Sequence, residues 1–163
     1  MMKLFQNLLS GKNKCRIIAP VSGKLVSVKE AKDPTFRDEI LGKSVTVIPS
    51  ENRFYSPADG VVTTVFPTGH AVAITTTDGA EVLIHVGINT VKLNGKFFNL
   101  HVKEGQKVSA GDLLLEADIE QIQKEGYQII TPIIICNTDE FTEVTKTEPG
   151  DISVGDTVMT LKK

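Results

Sequence analysis

The chain has 163 residues, which is the size of one ordinary domain. Its net charge is −2, from 18 basic and 20 acidic residues, and this balance argues against a nucleic-acid-binding protein. Two cysteines are too few for a disulfide framework, and the apolar runs are too short to cross a membrane. We therefore expect a soluble cytoplasmic protein.

Residues 1–15 read as a separate N-terminal segment. Apolar side chains recur there at helical spacing, at Met1, Leu4, Phe5, Leu8 and Leu9. A helix this short is marginal in water, so we expect either a flexible tail or an amphipathic helix. Residues 1–10 are a candidate for weak contact with an anionic membrane surface, because an apolar stripe near lysines suits that interface. We place a single folded domain at 16–163.

The rest of the chain has the composition of a β protein. Val, Ile and Thr make up 48 of the 163 residues. Gly, Pro and Asp punctuate short β-rich runs, which predict strands at 16–18, 24–28, 44–48, 60–66, 70–76, 81–86, 113–116, 128–135 and 157–161. Pro34 and Asp118 suit the starts of helical turns at 34–41 and 119–125. This spacing predicts an all-β fold, an antiparallel β-sandwich or barrel.

Two internal repeats indicate duplicated hairpin units. APVSG at 19–23 recurs as SPADG at 56–60, and EGQKVSAGDLL at 104–114 recurs as PGDISVGDTVM at 149–159. Biotinyl and lipoyl domains use similar Gly-Asp turns, but they display a modified lysine on a tight hairpin flanked by Met or Asp. No lysine in this chain has that setting, so a carrier-lysine domain is disfavoured.

A histidine hairpin is the most informative stretch of the sequence. Asp78-Gly79 is a strong hairpin-loop signal between two β-rich runs. A two-residue loop there places Val72 opposite His85, and it puts His70 and His85 on one face with Cα atoms about 7–8 Å apart. A three-residue loop would shift this register by one residue.

The face of the hairpin that carries the histidines is expected to be open. Val82, Ile84 and Val86 form the natural core face of the second strand, which leaves His85 and Leu83 on the other face. Two imidazoles with a nearby hydroxyl, that of Thr68, suit either metal binding or transfer of a phosphoryl group. We expect Leu83 and Val72 to contribute to a surface for a partner.

The other candidate residues have plainer interpretations. His101 lies beside a predicted turn and reads as an incidental surface residue. Cys136 ends an apolar run and reads as a small core residue.

Several motifs resemble one family in the order in which that family has them. EVLIHVGINTV at 81–91 resembles the sequence around the phosphorylated histidine of glucose-type IIA proteins of the phosphoenolpyruvate-dependent sugar phosphotransferase system, and TGHA at 68–71 resembles their second-histidine motif. IIAPVSGKLVSV, DPTFRDEILG, SPADGVV, EGQKVSAGDLLLEAD and TPIIICN extend the resemblance over nearly the whole chain.

The resemblance implies a phosphotransferase that needs no cofactor. His85 would accept a phosphoryl group from the phosphohistidine of the carrier HPr and pass it to a cysteine of a IIB domain of a sugar permease. Nε2 would be the reacting nitrogen, and a backbone carbonyl just after Gly87 would most simply fix the tautomer. His70 would stabilise the phosphoryl group, and the Thr68 hydroxyl would help to orient the His70 ring.

The resemblance also implies a docking rim and two departures from the family pattern. Asp33 and Phe36 match the rim, which is apolar with acidic positions. Asn89 stands where the family often has Asp, and Phe97 replaces a Gly. We expect these two departures to affect the affinity for partners or the choice of partner. We expect brief encounters with successive partners through a small interface, and a monomeric protein.

Three alternatives remain at this point. A regulatory protein would keep His85 but use its phosphorylation state to signal to target proteins. A zinc hydrolase of the lysostaphin type is disfavoured, because His85 is followed by Val86-Gly87 and no His-x-His pair is present. His70 and His85 could instead share a zinc ion with a carboxylate of a partner.

Overall fold

The computed structural model describes residues 14–163, so the expected N-terminal helix or tail lies almost entirely outside the described residues. The strands are β1 (Lys14–Ile18), β2 (Gly23–Val26), β3 (Lys43–Pro49), β4 (Arg53–Tyr55), β5 (Gly60–Val65), β6 (Ala71–Thr76), β7 (Glu81–His85), β8 (Phe98–Leu100), β9 (Lys107–Val108), β10 (Leu113–Ala117), β11 (Thr131–Ile135), β12 (Glu143–Lys146), β13 (Gly150–Ile152) and β14 (Thr157–Lys162). The two short α-helices are α1 (Pro34–Arg37) and α2 (Ile119–Lys124).

The strands form three antiparallel sheets. The largest has eight strands in the order β13-β2-β3-β11-β7-β6-β5-β9, and two three-stranded sheets have the orders β1-β14-β12 and β4-β10-β8. The core lies between them and is almost wholly aliphatic, with Phe54 as its largest completely buried side chain. The predicted all-β antiparallel fold with short helical turns is confirmed.

The internal repeats correspond to two halves with matching hydrogen bonds. In the two Gly-Asp turns, the Asp112 carboxylate accepts from the Ser109 N–H at 2.8 Å, and the Asp156 carboxylate accepts from the Ser153 N–H at 2.9 Å. The sheet orders show the same relation, since β13-β2-β3-β11 on one side of the large sheet mirrors β9-β5-β6-β7 on the other. Duplicated hairpin units therefore build this fold.

The predicted elements differ from the structure mainly where elements are short. Strands β4, β8, β9, β12 and β13 were not predicted, because two to four residues are too few to show an alternating pattern. The predicted helical turn at 34–41 is helical only over α1, which ends shortly before Glu39 takes a left-handed conformation (φ 53°). Cys136 is exposed and not a core residue, because β11 ends at Ile135.

A long connection covers part of one face of the large sheet. Residues 27–42 join β2 to β3 and contain a 3-10 turn (Val28–Glu30) and α1. Phe36 from this connection packs in a second apolar cluster with Val26, Ala31, Ile88, Ile130 and Ile134, and the half-buried Leu83 packs against it. None of the helices within residues 14–163 is long and apolar enough to cross a membrane.

Candidate functional site

His85 lies at the end of β7, on the face of the large sheet opposite the main core. Val82 and Ile84 are completely buried and Val86 is 1% exposed, whereas His85 and Leu83 are half-buried. This is the predicted division of β7 into a core face and an open face. The central position of β7 in an eight-stranded sheet gives His85 a rigid base.

The predicted register of the histidine hairpin is wrong by one residue. His85 pairs with Ala71, and Val72 pairs with Ile84, because the loop between the strands holds three residues, Thr77 to Gly79. Val72 is therefore completely buried in the core and is not part of an open docking surface. The structure overturns its assignment as a docking residue.

The two imidazoles nevertheless lie together. Their ring centroids are 4.8 Å apart, and the ring planes meet at 81°. In the observed register the His70 carbonyl accepts from the Val86 N–H, and a regular strand would send the two side chains to opposite faces. His70 escapes this rule because it lies in the turn before β6, directly after Gly69 at φ 76°.

A backbone carbonyl fixes the tautomer of His85. Nδ1 lies 2.8 Å from the Gly87 carbonyl oxygen, which can only accept, so Nδ1–H is the donor. In the neutral ring the Nε2 lone pair is then free to act as a nucleophile. The expectation of a backbone carbonyl at this point is met by Gly87 itself.

The turn after His85 has room only for glycine. Gly87 has φ 76°, and a Cβ built on it would lie 2.5 Å from the methyl group of Thr90 and 3.0 Å from the Gln128 carbonyl oxygen. Thr90 is itself fixed, since it is completely buried and its hydroxyl donates to the Val86 carbonyl at 2.5 Å. The Gly87 carbonyl that orients His85 can therefore keep its position only because residue 87 has no side chain.

Gly87→Ala is expected to lower both stability and phosphoryl acceptance. Left-handed strain and overpacking together should cost about 2–4 kcal/mol of unfolding free energy. A displaced Gly87 carbonyl should also slow acceptance about 10–100-fold, measured alongside urea unfolding. Gly155→Ala is the matched control, because Gly155 has φ 93° but open space around its Cβ position, so stability alone should fall. Equal acceptance by both variants would contradict the orienting role of Gly87.

Thr68 contacts His70 as the sequence predicted. Its Oγ1 lies 2.6 Å from His70 Nδ1, and His70 is only 2% exposed. If the hydroxyl donates to Nδ1, the neutral ring carries its proton on Nε2, where it is available to an anionic group. In that arrangement Thr68 would select the tautomer of His70, whereas the Gly87 carbonyl, which can only accept, fixes that of His85.

Burial keeps both histidines neutral near pH 7. The pKa of His70 is lowered to about 4, first by burial and second by the nearby His85. Burial also lowers the pKa of His85, while its hydrogen bond to the Gly87 carbonyl and the Asp33 carboxylate act in the opposite direction. Neutral His85 can act as a nucleophile. Neutral His70 can donate one hydrogen bond without adding a positive charge beside His85.

His70 should make the fold sensitive to acid. Its pKa is about 4 in the folded protein against an ordinary value of 6.5, so the unfolded chain binds the proton more readily. The associated stability is present above pH 6.5 and is lost as pH falls toward 4, by up to about 3 kcal/mol. Urea unfolding at pH 7, 6, 5 and 4 should show a smaller decline for His70→Gln than for the wild type. Parallel declines would contradict this origin.

The wall of the site includes aromatic rings that the sequence analysis only partly identified. The Phe36 ring lies 4.7 Å from the His85 ring, and the rings of Phe66 and Phe98 lie 5.3 and 6.4 Å from that of His70. Phe66 and Phe98 were missed, although Phe66 stands four residues before His70 in a polar turn. An aromatic residue in a polar turn close to a histidine is the signal that could have identified Phe66 as part of the site.

Other predicted residues take the following places. The Asp33 carboxylate caps α1 by accepting from the Thr35 N–H at 2.9 Å, and Phe36 is 6% exposed. His101 is exposed, with Nε2 2.9 Å from the Glu116 carboxylate. Within residues 14–163 no group of three or more His, Cys, Asp or Glu side chains is arranged to hold a metal ion. Sharing of zinc by His70 and His85 with a partner's carboxylate stays a prediction.

The comparisons with known proteins identify the family. The model of the family described as phosphoenolpyruvate-dependent sugar phosphotransferase system, EIIA 1, matches residues 15–141. The chain belongs to this family. EIIA components are phosphotransferases that carry a phosphohistidine intermediate, and an arrangement of two apposed imidazoles suits that chemistry.

Similar proteins include both single-domain and fused EIIA components. The chain is 38% identical over 157 residues to a glucose-specific EIIA component from Oceanobacillus iheyensis, covering 94% of this chain and 95% of that protein. It is 44% identical over 140 residues to a beta-glucoside-specific EIIBCA component from Bacillus subtilis, covering 83% of this chain and 23% of that protein. The chain thus spans about a quarter of the length of the fused relatives it matches.

A solved structure agrees with the sequence relatives. Glucose permease IIA from Mycoplasma capricolum superposes with a TM-score of 0.85 at 33% identity, covering 91% of this chain and 96% of that one. The β-sandwich fold is therefore that of a glucose-type EIIA protein.

Both departures from the family pattern occupy left-handed positions. Asn89 has φ 62° and Phe97 has φ 76°. Asn tolerates this region better than most residues, whereas Phe97 stands where the resemblance expects a Gly. The Phe97 ring packs against the main core, and Lys96 Nζ lies 4.9 Å from its centroid. Phe97 thus packs a partly buried ring against the core from a backbone position that favours glycine.

Proposed function

We propose that this EIIA protein carries a phosphoryl group on Nε2 of His85, taking it from phosphorylated HPr and delivering it to a cysteine of a IIB domain. The observation that carries this proposal is the pair of imidazoles 4.8 Å apart, with Nδ1 of His85 bound to the Gly87 carbonyl. That bond leaves Nε2 as the nucleophilic atom. Curated EIIBCA relatives join an EIIA part to a IIB part in one chain, which supports the IIB partner.

Transfer to and from His85 proceeds through two displacements. The Nε2 lone pair of neutral His85 forms a bond to phosphorus while the N–P bond of the donor phosphohistidine breaks, and its electron pair returns to the donor ring. In the second step the cysteine thiolate of the IIB domain forms an S–P bond, and the electron pair of the N–P bond returns to His85. Neither step needs a cofactor, because positioning and charge stabilisation supply most of the catalysis.

His70 stabilises the phosphoryl group mainly during the second step, the transfer to the IIB domain. Its Nε2–H, selected by the Thr68 hydroxyl, donates to a phosphoryl oxygen. A hydrogen bond to a charged group is worth about 1.5–3 kcal/mol, and burial of His70 shields it from competing water.

The surface around His85 suits brief contact with successive partners. The buried Phe36 ring and the half-buried Leu83 form the apolar base of this surface, and Asp33 supplies negative charge. Ile40 is 68% exposed, Leu41 42% and Val91 48%. Ile40 and Leu41 follow Phe36 in the 27–42 connection and Val91 follows the turn after His85, so we assign these three to the same surface. An apolar surface excludes water when a partner docks and protects phosphohistidine from hydrolysis.

We also propose that the protein works in the cytoplasm as a monomer, with weak membrane contact through residues 1–10. A monomer leaves the His85 surface free for both partners, and sedimentation of the purified chain tests it. The membrane contact is tested by comparing transfer to a membrane-bound IIB partner before and after deletion of residues 1–12. Unchanged transfer would contradict that contact.

A discharge assay tests the proposed function as a whole. The full chain is incubated with labelled phosphoenolpyruvate, enzyme I and HPr, and purified IIB domains of glucose-type and beta-glucoside-type permeases are then added separately. We expect acid-labile labelling that depends on HPr, followed by rapid loss of label to at least one IIB domain. No labelling, or label retained in the presence of both IIB domains, would contradict the proposal.

A further inference from the structure

The 27–42 connection supplies one wall of the phosphoryl site but is not part of the sheet that carries His85. It places Phe36 against the His85 ring at 4.7 Å, and it places the Asp33 carboxylate close enough for its charge to oppose the burial that lowers the pKa of His85. Its own secondary structure is one 3-10 turn and the four-residue α1. Such short elements depend on contacts with the rest of the chain to hold them in place.

Gln128 holds the first half of this connection. Its side-chain amide donates to the Glu30 carbonyl at 2.7 Å, and its side-chain oxygen accepts from the Lys32 N–H at 3.0 Å. Its backbone carbonyl accepts from the N–H of Ile88, in the turn that follows His85. One residue therefore bridges the connection and the turn that orients His85.

Lys146 holds the second half. Its Nζ lies 2.9 Å from Oε2 of Glu39, and the same oxygen accepts from the Ser44 N–H at 2.8 Å. The side chains of Lys146 and Glu39 are 33% and 20% exposed, so this ion pair is less screened than a pair in open solvent. Glu39 has φ 53°, a conformation that persists only where surrounding contacts impose it.

We propose that Gln128 and Lys146 are positioning residues for phosphoryl transfer, fastening the two ends of the 27–42 connection and so holding Phe36 against His85. Neither residue touches either histidine ring, and neither lies in the motifs that predicted the site. The proposal rests on the proposed role of His85 as the acceptor.

Two variants of the full chain test the proposal. Gln128→Ala removes both side-chain bonds but keeps the backbone bond to Ile88, and Lys146→Met removes the ion pair. Each should lower kcat/KM for acceptance from phosphorylated HPr by about 5–10-fold, with folded spectra retained. Gln128→Glu keeps the acceptor for the Lys32 N–H and loses the donor, so it should fall between Gln128→Ala and wild type.

Matched controls separate positioning from general loss of a polar contact. Gln106→Ala removes a side-chain acceptor for the Lys103 N–H in an exposed turn. Lys124→Met removes an exposed ion pair with Glu120, whose side chain is 76% exposed. Both controls should leave acceptance unchanged.

Two further measurements distinguish the positioning of Phe36 from a general contribution to stability. Nuclear Overhauser contacts between the Phe36 and His85 rings should weaken in Gln128→Ala and persist in Gln106→Ala. In a Phe36→Ala background, Gln128→Ala should cause little further loss, because both changes act through the same ring. Wild-type ring contacts and acceptance in both variants, or an undiminished loss in the Phe36→Ala background, would overturn the proposal. Label absent from His85 in the wild type would instead overturn the proposed function. The contacts between the Phe36 and His85 rings would still test whether Gln128 and Lys146 hold the 27–42 connection in place.

Discussion

His85→Ala is expected to abolish phosphoryl acceptance, lowering it by about a thousandfold or more, since the variant lacks the nucleophile itself. The substitution should leave the fold intact, because His85 is half-buried at the open face and not in the main core. Incubation with labelled phosphoenolpyruvate, enzyme I and HPr measures the loss directly.

The control for this variant is His101→Ala. His101 is exposed and contacts the Glu116 carboxylate rather than either of the paired imidazoles, so its removal should leave labelling unchanged. Acid-labile label that persists in His85→Ala would show that another residue accepts the phosphoryl group.

His70→Gln is expected to separate the two directions of transfer. Because His70 acts mainly in transfer to the IIB domain, phosphoryl acceptance from HPr should continue in this variant. Donation to a IIB domain should slow by about 10–100-fold, because a hydrogen bond of about 1.5–3 kcal/mol to the phosphoryl group is lost or misplaced. Rapid-quench measurement of label transfer in each direction provides both rates.

Thr68→Val gives an independent check on the role of His70. The variant lacks the hydroxyl that lies 2.6 Å from His70 Nδ1 but has nearly the same shape. It should shift donation in the same direction as His70→Gln and by a smaller factor. Unchanged rates in both directions for both variants would mean that the two imidazoles do not cooperate.

The site was predictable from sequence because its residues are close together along the chain. Thr68, His70 and His85 belong to one hairpin, so recognising the turn at Asp78-Gly79 was enough to bring them to one region, whereas alternation in the observed register would have put the two imidazoles on opposite faces. The register was not predictable to one residue, because the Asp78-Gly79 dipeptide fits a two-residue loop as well as the observed loop of three. The error displaced Val72 from the core to the surface but left the histidines near each other, since His70 lies outside the regular strand.

The contacts between distant parts of the chain could not be predicted in the same way. Gln128 is 96 residues from Lys32, and Lys146 is 107 residues from Glu39. No periodicity or short motif encodes such pairs, and Glu39 lies within a stretch that reads as a continuous helical turn. The left-handed backbone of Glu39 depends on tertiary contacts, which local propensity does not report.

Direct assignment of the phosphorylated atom is the most direct test of the account. Wild-type protein, labelled with ¹⁵N in its histidines, is phosphorylated through enzyme I and HPr and examined by ¹H–¹⁵N and ³¹P correlation at alkaline pH, where phosphohistidine is stable. The account predicts a single phosphohistidine, at Nε2 of His85, with Nδ1 still protonated and bound to the Gly87 carbonyl. A phosphoryl group on His70 or His101, or on Nδ1 of His85, would contradict it.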